Sequence, residues 1–203
     1  MSHAQDPTIG DDELATTKTA GYNPGEKKTL DEYTKLDAED ESLARWKASL
    51  GLDTASAAVD PNAPKLQLHS ISLVSPSAPG GAVSIDLQQP KEQLEALKKN
   101  PLNVKEGVDY SVKIVFKVGN EILSGLKYVQ VVKRAGVTVD RMEEMIGSYG
   151  PRAEPYEKKF ASNEAPSGML ARSGTNTVRS RVVDDDGNVF ADWTWAFKIT
   201  KEW

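Results

Sequence analysis

Side chains able to act as nucleophiles, proton carriers or metal ligands are scarce and scattered in this sequence. None of the 203 residues is cysteine, which removes disulfides, thiolate metal sites and cysteine nucleophiles. Only two histidines occur, His3 and His69, so a His-based metal centre or a Ser-His-Asp triad lacks its central member. His69 falls inside a strand pattern, where a structural or surface histidine is expected. The densest acidic cluster is Asp184-Asp185-Asp186, followed by Gly187-Asn188. Three adjacent carboxylates in a tight turn cannot all face one cation, so a solvated turn is expected before a divalent-cation site. Gly147-Ser148-Tyr149-Gly150-Pro151 is glycine-rich, yet no helical pattern follows it, and a phosphate cradle needs a helix N-terminus. No nucleotide-binding glycine motif and no G-x-S-x-G occurs. The residues predict neither an enzyme nor a metal or cofactor site.

The chemistry that remains is apolar. Aromatic residues make up only 7% of the chain, yet Tyr110, Phe116, Tyr128, Trp193, Trp195 and Phe197 gather in two short stretches. Both stretches alternate with period two, as half-buried strands do. Two readings stand: a sandwich core with buried tryptophans, or a cavity between sheets that takes an apolar ligand.

The elements that must carry these residues are strands. Val108, Tyr110, Val112, Ile114, Phe116 and Val118 alternate with mostly polar residues. Ile122, Leu126, Tyr128 and Val132 share an inner face, with a bulge expected at Ser124-Gly125. Residues 189–199 predict the last strand, and 66–74, 83–87, 137–139 and 178–183 predict weaker ones. In 66–74 the apolar phase slips between Leu68 and Ile71, which a bulge near His69 would repair. Asp186-Gly187 predicts a hairpin turn, and residues 91–99 a short helix. This pattern predicts a mainly β, immunoglobulin-like β-sandwich over residues 61–203.

Residues 1–60 have a different character. They hold 13 Asp/Glu against 6 Lys/Arg, whereas residues 61–203 hold 17 against 19. Residues 1–24 are polar and broken by glycine and proline, so they are expected not to order alone. Residues 29–51 predict a helical hairpin. Thr29 and Glu32 form a capping box. A second helix over 38–50, with Asp37 as N-cap, puts Leu43, Trp46 and Leu50 on one stripe before Gly51. Helices this short need a surface to fold against, in their own domain or on a partner. Residues 1–60 are therefore read as a flexible N-terminal arm, and 54–64 as a linker.

Composition narrows the partners. The net charge is −5 and the pI about 5.2, against a nucleic-acid-binding surface. No apolar run reaches the length of a membrane span, so no stable membrane insertion is expected. Residues 1–10 lack the basic and apolar regions of a signal peptide, which predicts a cytosolic protein.

Several longer motifs carry a resemblance. Lys105-Glu106-Gly107-Val108-Asp109-Tyr110, Ser124-Gly125-Leu126-Lys127-Tyr128, Gly147 through Glu154, Gly168-Met169-Leu170-Ala171-Arg172, Trp193-x-Trp195 and Asp40-Glu41-Ser42-Leu43 occur in order across residues 22–203. Together they resemble the Rho GDP-dissociation inhibitor family. The resemblance implies an immunoglobulin-like sandwich with a regulatory arm. It implies a partner as well: geranylgeranylated Rho-, Rac- and Cdc42-type GTPases in the GDP state, bound one to one, held against nucleotide release and carried from membranes to cytosol. It favours the cavity reading, with the isoprenoid tail as ligand, lined by Leu73, Leu102, Tyr110, Ile122, Leu170, Val178, Trp193 and Trp195. The aromatic polar atoms would find partners at the rim.

By the same resemblance the arm supplies Asp40 and Ser42 to the switch I side of the GTPase, and Leu43, Trp46 and Leu50 to switch II. Asp186 would touch the GTPase from the sandwich. Asp140 and Glu164 would meet the basic stretch before the prenylated cysteine, although Asn163 stands where a second acid is common. Ser173, Thr175 and Thr177 are expected near the pocket mouth, where phosphorylation would loosen prenyl contact. A prenyl-binding sandwich of the phosphodiesterase-delta type, without switch inhibition, is the competing reading. A carboxylate hydrolase and an adhesion sandwich are further alternatives, opposed by the missing nucleophile-base pair and the missing cysteines.

Overall fold

A computed structural model describes residues 9–17, 40–43, 45 and 62–203. Among the described residues, nine strands form two sheets. One has the order β2-β1-β4-β7, made of β1 (Leu66–Val74), β2 (Ala82–Asp86), β4 (Asp109–Val118) and β7 (Tyr156–Glu164). The other has the order β3-β9-β8-β5-β6, made of β3 (Leu102–Lys105), β5 (Leu123–Arg134), β6 (Val137–Tyr149), β8 (Asn176–Val183) and β9 (Val189–Thr200). All pairings are antiparallel except β3 with β9. Two short helices, α1 (Lys91–Ala96) and α2 (Met169–Arg172), sit in connections.

Alternation explains the main ladders. In β4, Val112, Ile114, Phe116 and Val118 are buried, and the residues between them are half-buried. The apolar phase slip in β1 is resolved by a bulge: Leu68 pairs with Phe116 and Ser70 with Val115, so His69 is the extra residue. That shift returns Ile71 and Leu73 to the core. Register also slips between Leu123 and Leu126, at the expected Ser124-Gly125 irregularity. Rings fasten one sheet to the other. Tyr128 of β5 stacks on Phe160 of β7 with centroids 5.1 Å apart, and Tyr149 of β6 meets Tyr156 of β7 edge-on at 4.6 Å. Strand β7 therefore lies over β5 and β6.

Three strands depart from the sequence expectation. β3 and β7 were not expected, and β6 runs thirteen residues instead of three, taking Gly147, Ser148 and Tyr149 out of the expected loop. All three are sheet edges. In β7 only Tyr156 and Phe160 are buried, and in β6 only Ile146. The ladder with a neighbour holds such strands, and a hydrophobic-periodicity reading misses them.

The N-terminal segment also departs from expectation. Residues 9–17 were expected to stay unordered, yet they lie across the outer face of β5, β6 and β8. Ile9 (3% exposed) and Leu14 (1%) bury against Val129, Val131 and Val183. Leu14 ends a 3₁₀ turn, Asp12–Leu14. Cations on the sheet then hold the polar remainder. Lys133 pairs with Glu13 at 2.6 Å, and Arg181 and Arg179 reach Asp11 at 2.5 and 2.8 Å. Arg179 Nη1 donates to the Ile9 carbonyl at 2.7 Å, Arg141 to the Ala15 carbonyl at 2.7 Å, and Lys127 Nζ to the Thr17 carbonyl at 2.8 Å. Two well-placed apolar side chains and this basic face offset an ordering cost that average composition made look prohibitive.

The arginines at Asp11 and the lysine at Glu13 hold both carboxyls below the ordinary carboxylate range. Both groups bind fewer protons docked than free. The contribution of these carboxylates to docking is therefore fully present above the ordinary carboxylate range, about pH 4.3, and is lost as pH falls through the lowered values. Leu14→Ala should weaken docking by about 2 kcal/mol, a roughly thirty-fold loss of amide protection in residues 9–17. Strands of the sandwich core should keep their protection in the same hydrogen-exchange experiment, and acidification through the lowered carboxyl range should reduce protection in residues 9–17 as well.

Candidate functional site

Between the sheets, at the end where β5 finishes and β8 begins, lies a cavity of about 350 Å³. Both layers line it. β1 and β4 contribute Leu73 and Tyr110, β3 Val104, and β5 Gln130, Val132 and Arg134. β9 contributes Trp195, Phe197 and Ile199. The mouth opens between the two edge strands β6 and β7. It carries Val139 and Asp140 on one side, and Asn163, Glu164, Ala165 and Pro166 on the other. The volume is at the low end of the range for small-ligand sites, and the lining is mixed, with Gln130, Arg134, Asp140, Asn163, Glu164 and Asn176 beside the apolar residues.

The floor is fixed by a buried polar network that the sequence reading did not foresee. Tyr128 donates to Gln130 Oε1 at 2.7 Å and shares a hydrogen bond with Ser180 Oγ at 2.9 Å. Trp195 Nε1 donates to the same Ser180 oxygen at 3.1 Å. Ser180 sits opposite Gln130 on β5 and opposite Trp193 on β9. A serine amid valines and arginines gives no sequence signal; only strand pairing places it beneath the indole. Burial pushes the Tyr128 hydroxyl well above its ordinary pKa, so it remains a neutral donor. Tyr110 is also pushed up, first by burial and then by the charge of Asp140.

Of the expected lining residues, Leu73, Tyr110 and Trp195 meet at this cavity, joined by Asp140 and Glu164. Val178 and Trp193 are buried beside it: Val178 pairs with Val132 and Trp195, while Trp193 lies 6.1 Å from the Tyr128 ring. Leu102 is half-buried and pairs with Phe197. Two positions differ from the expectation. Ile122 lies in the β4–β5 turn, eight residues from Gln130, or about 26 Å along an extended strand, at the other end of the sandwich. Leu170 stands outside the cavity on α2, 81% exposed. The indoles also depart from it. Trp195 finds its partner in the interior, not at the rim, and Trp193 Nε1 has no partner among the described residues. Thr177, expected at the mouth, pairs with Lys133 and Ala196. It alternates with the buried Val178 and so faces the layer of residues 9–17.

The three consecutive carboxylates diverge. Asp184 accepts from the Asn188 backbone and side-chain amides at 2.8 and 2.7 Å, closing the turn with Gly187 at φ 84°. Asp185 pairs with Lys127 at 2.6 Å, both largely buried, and presses against Gly125, where a Cβ would lie 2.6 Å from Asp185 Oδ2. Asp186 points to solvent. This turn is at the end of β8 remote from the cavity.

In the arm, residues 41–43 and 45 are helical. Asp40 Oδ1 accepts from the backbone N–H of Ser42 at 2.8 Å and of Leu43 at 3.2 Å, the bonding of an N-cap. Among the described residues the helix begins at Glu41, with Asp40 in the position of its N-cap. Ser42 is exposed and Leu43 half-buried. Asp37, Trp46, Leu50, the first helix of the expected hairpin and most of the linker lie outside the described residues.

A sequence profile described as RHO protein GDP dissociation inhibitor matches residues 7–202. The chain belongs to the Rho GDP-dissociation inhibitor family. It is 43% identical over 185 residues to human Rho GDP-dissociation inhibitor 1, covering 91% of this chain and 88% of that protein. It is 40% identical to the Rho GDP-dissociation inhibitors of Schizosaccharomyces pombe, over 88% of this chain and 85% of the relative, and of Saccharomyces cerevisiae, over 89% and 91%. Members of this family are inhibitors and not enzymes. No helix among the described residues is long and apolar enough to cross a membrane.

Ser180→Ala would leave the Trp195 N–H and the Tyr128 hydroxyl short of a buried partner, a loss of about 1–3 kcal/mol. Urea unfolding should show a lower midpoint with an unchanged slope.

Proposed function

We propose that this protein is a Rho GDP-dissociation inhibitor that binds Rho-family GTPases, shelters a geranylgeranyl tail in the cavity and slows GDP release through its N-terminal arm. The observation that carries this reading is an apolar-walled cavity, open between two sheet edges, in a chain of this family. Leu73, Tyr110 and Trp195 would touch the tail, with Val132, Phe197 and Ile199 completing the wall. Val178, Trp193 and Leu102 support that wall from behind. Asp140 and Glu164, one on each lip, would meet a basic peptide leading to the tail. Asp186 lies about 26 Å away along β8. The GTPase body would therefore sit toward that turn, and its flexible C-terminus would run to the mouth.

Inhibition would come from the arm. Asp40, Ser42 and Leu43, with Trp46 and Leu50, would hold both switches in one conformation, and nucleotide leaves only when they open. No covalent chemistry is needed. The complex would be one to one and cytosolic, visiting membranes to collect its cargo.

Extraction of a prenylated GTPase from vesicles, run beside GDP release from the same GTPase, tests both parts. Trp195→Ala should abolish most extraction and change release inhibition less. Asp40→Ala removes an N-cap worth about 1 kcal/mol and should weaken release inhibition about five-fold with extraction largely kept. Asp40→Ser, which keeps capping, separates the cap from a direct contact: inhibition is restored if the cap is what matters. A protein lacking residues 1–60 that still inhibits release fully would favour the phosphodiesterase-delta-type reading.

A further inference from the structure

Large apolar side chains stand in water beside the cavity mouth. Met169 and Leu170 are each 81% exposed and Val137 is 65% exposed. A loose loop would explain this, but α2 is not loose. Arg134 Nη1 donates to the carbonyls of Leu170 and Ala171 at 3.1 and 3.3 Å. Glu106 accepts from the Gly168 N–H at 2.8 Å and from Arg172 Nη1 at 2.6 Å. Ala171 is buried. The turn is clamped from beneath by charged groups while Met169 and Leu170 project outward.

The hairpin between β5 and β6 adds to the same surface. Val137 pairs with Arg134, which lines the cavity, so the two side chains share the inner face of the sheet. The register slip between Val132 and Lys133 leaves Val139 as an extra residue, and it also lines the mouth. The apolar tips of two separate connections thus flank one opening, with Arg134 and Arg172 set behind them. Isolated proteins rarely leave such side chains together in water. Apolar tips backed by cations suit the boundary between lipid headgroups and acyl chains. The carbonyls of the turn are held by Arg134 and by the Arg172 and Ser173 N–H groups, so the turn keeps its shape at such a boundary.

We propose that Met169, Leu170 and Val137 form a bilayer-contact rim that dips into the phospholipid interface, so that an isoprenoid passes from membrane to cavity without crossing water. The inference rests on the reading of the cavity as a prenyl site. Its occupant is the bilayer surface. Apolar insertion carries it, since Asp140 and Glu164 on the same mouth oppose attraction to anionic lipid.

The contact exists only during transfer, so it affects speed and not final distribution. The test uses the full chain, a fluorescent peptide ending in a geranylgeranylated cysteine, and phosphatidylcholine vesicles. Wild-type transfer should accelerate in proportion to protein concentration, as a collision does. Met169→Asp combined with Val137→Asp should slow transfer about ten-fold and leave the endpoint and the unfolding midpoint unchanged. Met169→Leu should keep the wild-type rate. An unchanged rate in the double variant, or a wild-type rate independent of protein concentration, overturns the rim. A shifted endpoint also overturns it, by assigning these residues to the cavity or to the cargo. Absence of any transfer by the wild type would instead refute the prenyl site beneath it.

Discussion

On the proposed function, the exchange of one apolar environment for another governs this molecule. An isoprenoid in a bilayer is stabilised by about 0.8 kcal/mol per buried CH₂, on the order of 16 kcal/mol for a twenty-carbon chain before corrections. A water-soluble competitor must keep a comparable apolar surface empty without letting it collapse. Closely packed interiors do not spare such space by default. Here the cavity is held open from behind. Trp195 is anchored by Ser180, Ser180 by Tyr128, and Tyr128 by both Gln130 and the Phe160 ring. A chain of satisfied hydrogen bonds inside a low-dielectric layer fixes a rotamer more firmly than apolar packing alone. The apolar part of the lining, Leu73, Val132, Trp195, Phe197 and Ile199, then has its orientation set from behind.

The same division between apolar content and polar placement recurs on the outer face. Ile9 and Leu14 supply the burial, and Arg179, Arg181, Lys133 and Arg141 decide where it happens. The segment also meets the remote end of the sandwich. Lys127 donates to Thr17 while pairing with Asp185, so the ammonium that steadies the Asp184-to-Asn188 turn is shared with the arm. Loss of the segment would leave a largely buried lysine with one partner fewer, next to the turn that presents Asp186.

How much could be read in advance follows from which forces leave a mark on sequence. Strands β1, β4 and β9 bury mainly one face, and their alternation, including the phase slip at His69, was legible, whereas β5 is buried on both faces from Leu126 to Val132. The edges β3, β6 and β7 are held by a neighbour's backbone and leave little trace. The aromatic residues of the site were visible as a cluster, and Leu73, Tyr110 and Trp195 meet at the cavity. Ser180 and Gln130 were not visible, because their role arises only from cross-strand register. Leu170 and Ile122 illustrate the converse. Both read as apolar lining by resemblance, and neither sits in the cavity of this structure. Composition misled at residues 9–17, where two buried side chains among polar ones suffice once a basic face awaits them.

The placement of charge and grease around the mouth gives these parts a common logic. One lip on each edge strand carries a carboxylate, while the tips beyond the lips are apolar and clamped by arginine. A surface uniformly acidic at that end would be repelled from anionic membranes, and one uniformly apolar would invite self-association. On the proposed function, splitting the two would let a basic peptide and a lipid surface be met by different residues at one opening. The apolar contribution falls on α2 and on Val137 at the start of β6, both outside the buried core, so exposure there costs the sandwich no core. The carboxylates fall on edge strands, where an open ladder is otherwise prone to pairing with another chain, and charge guards against that.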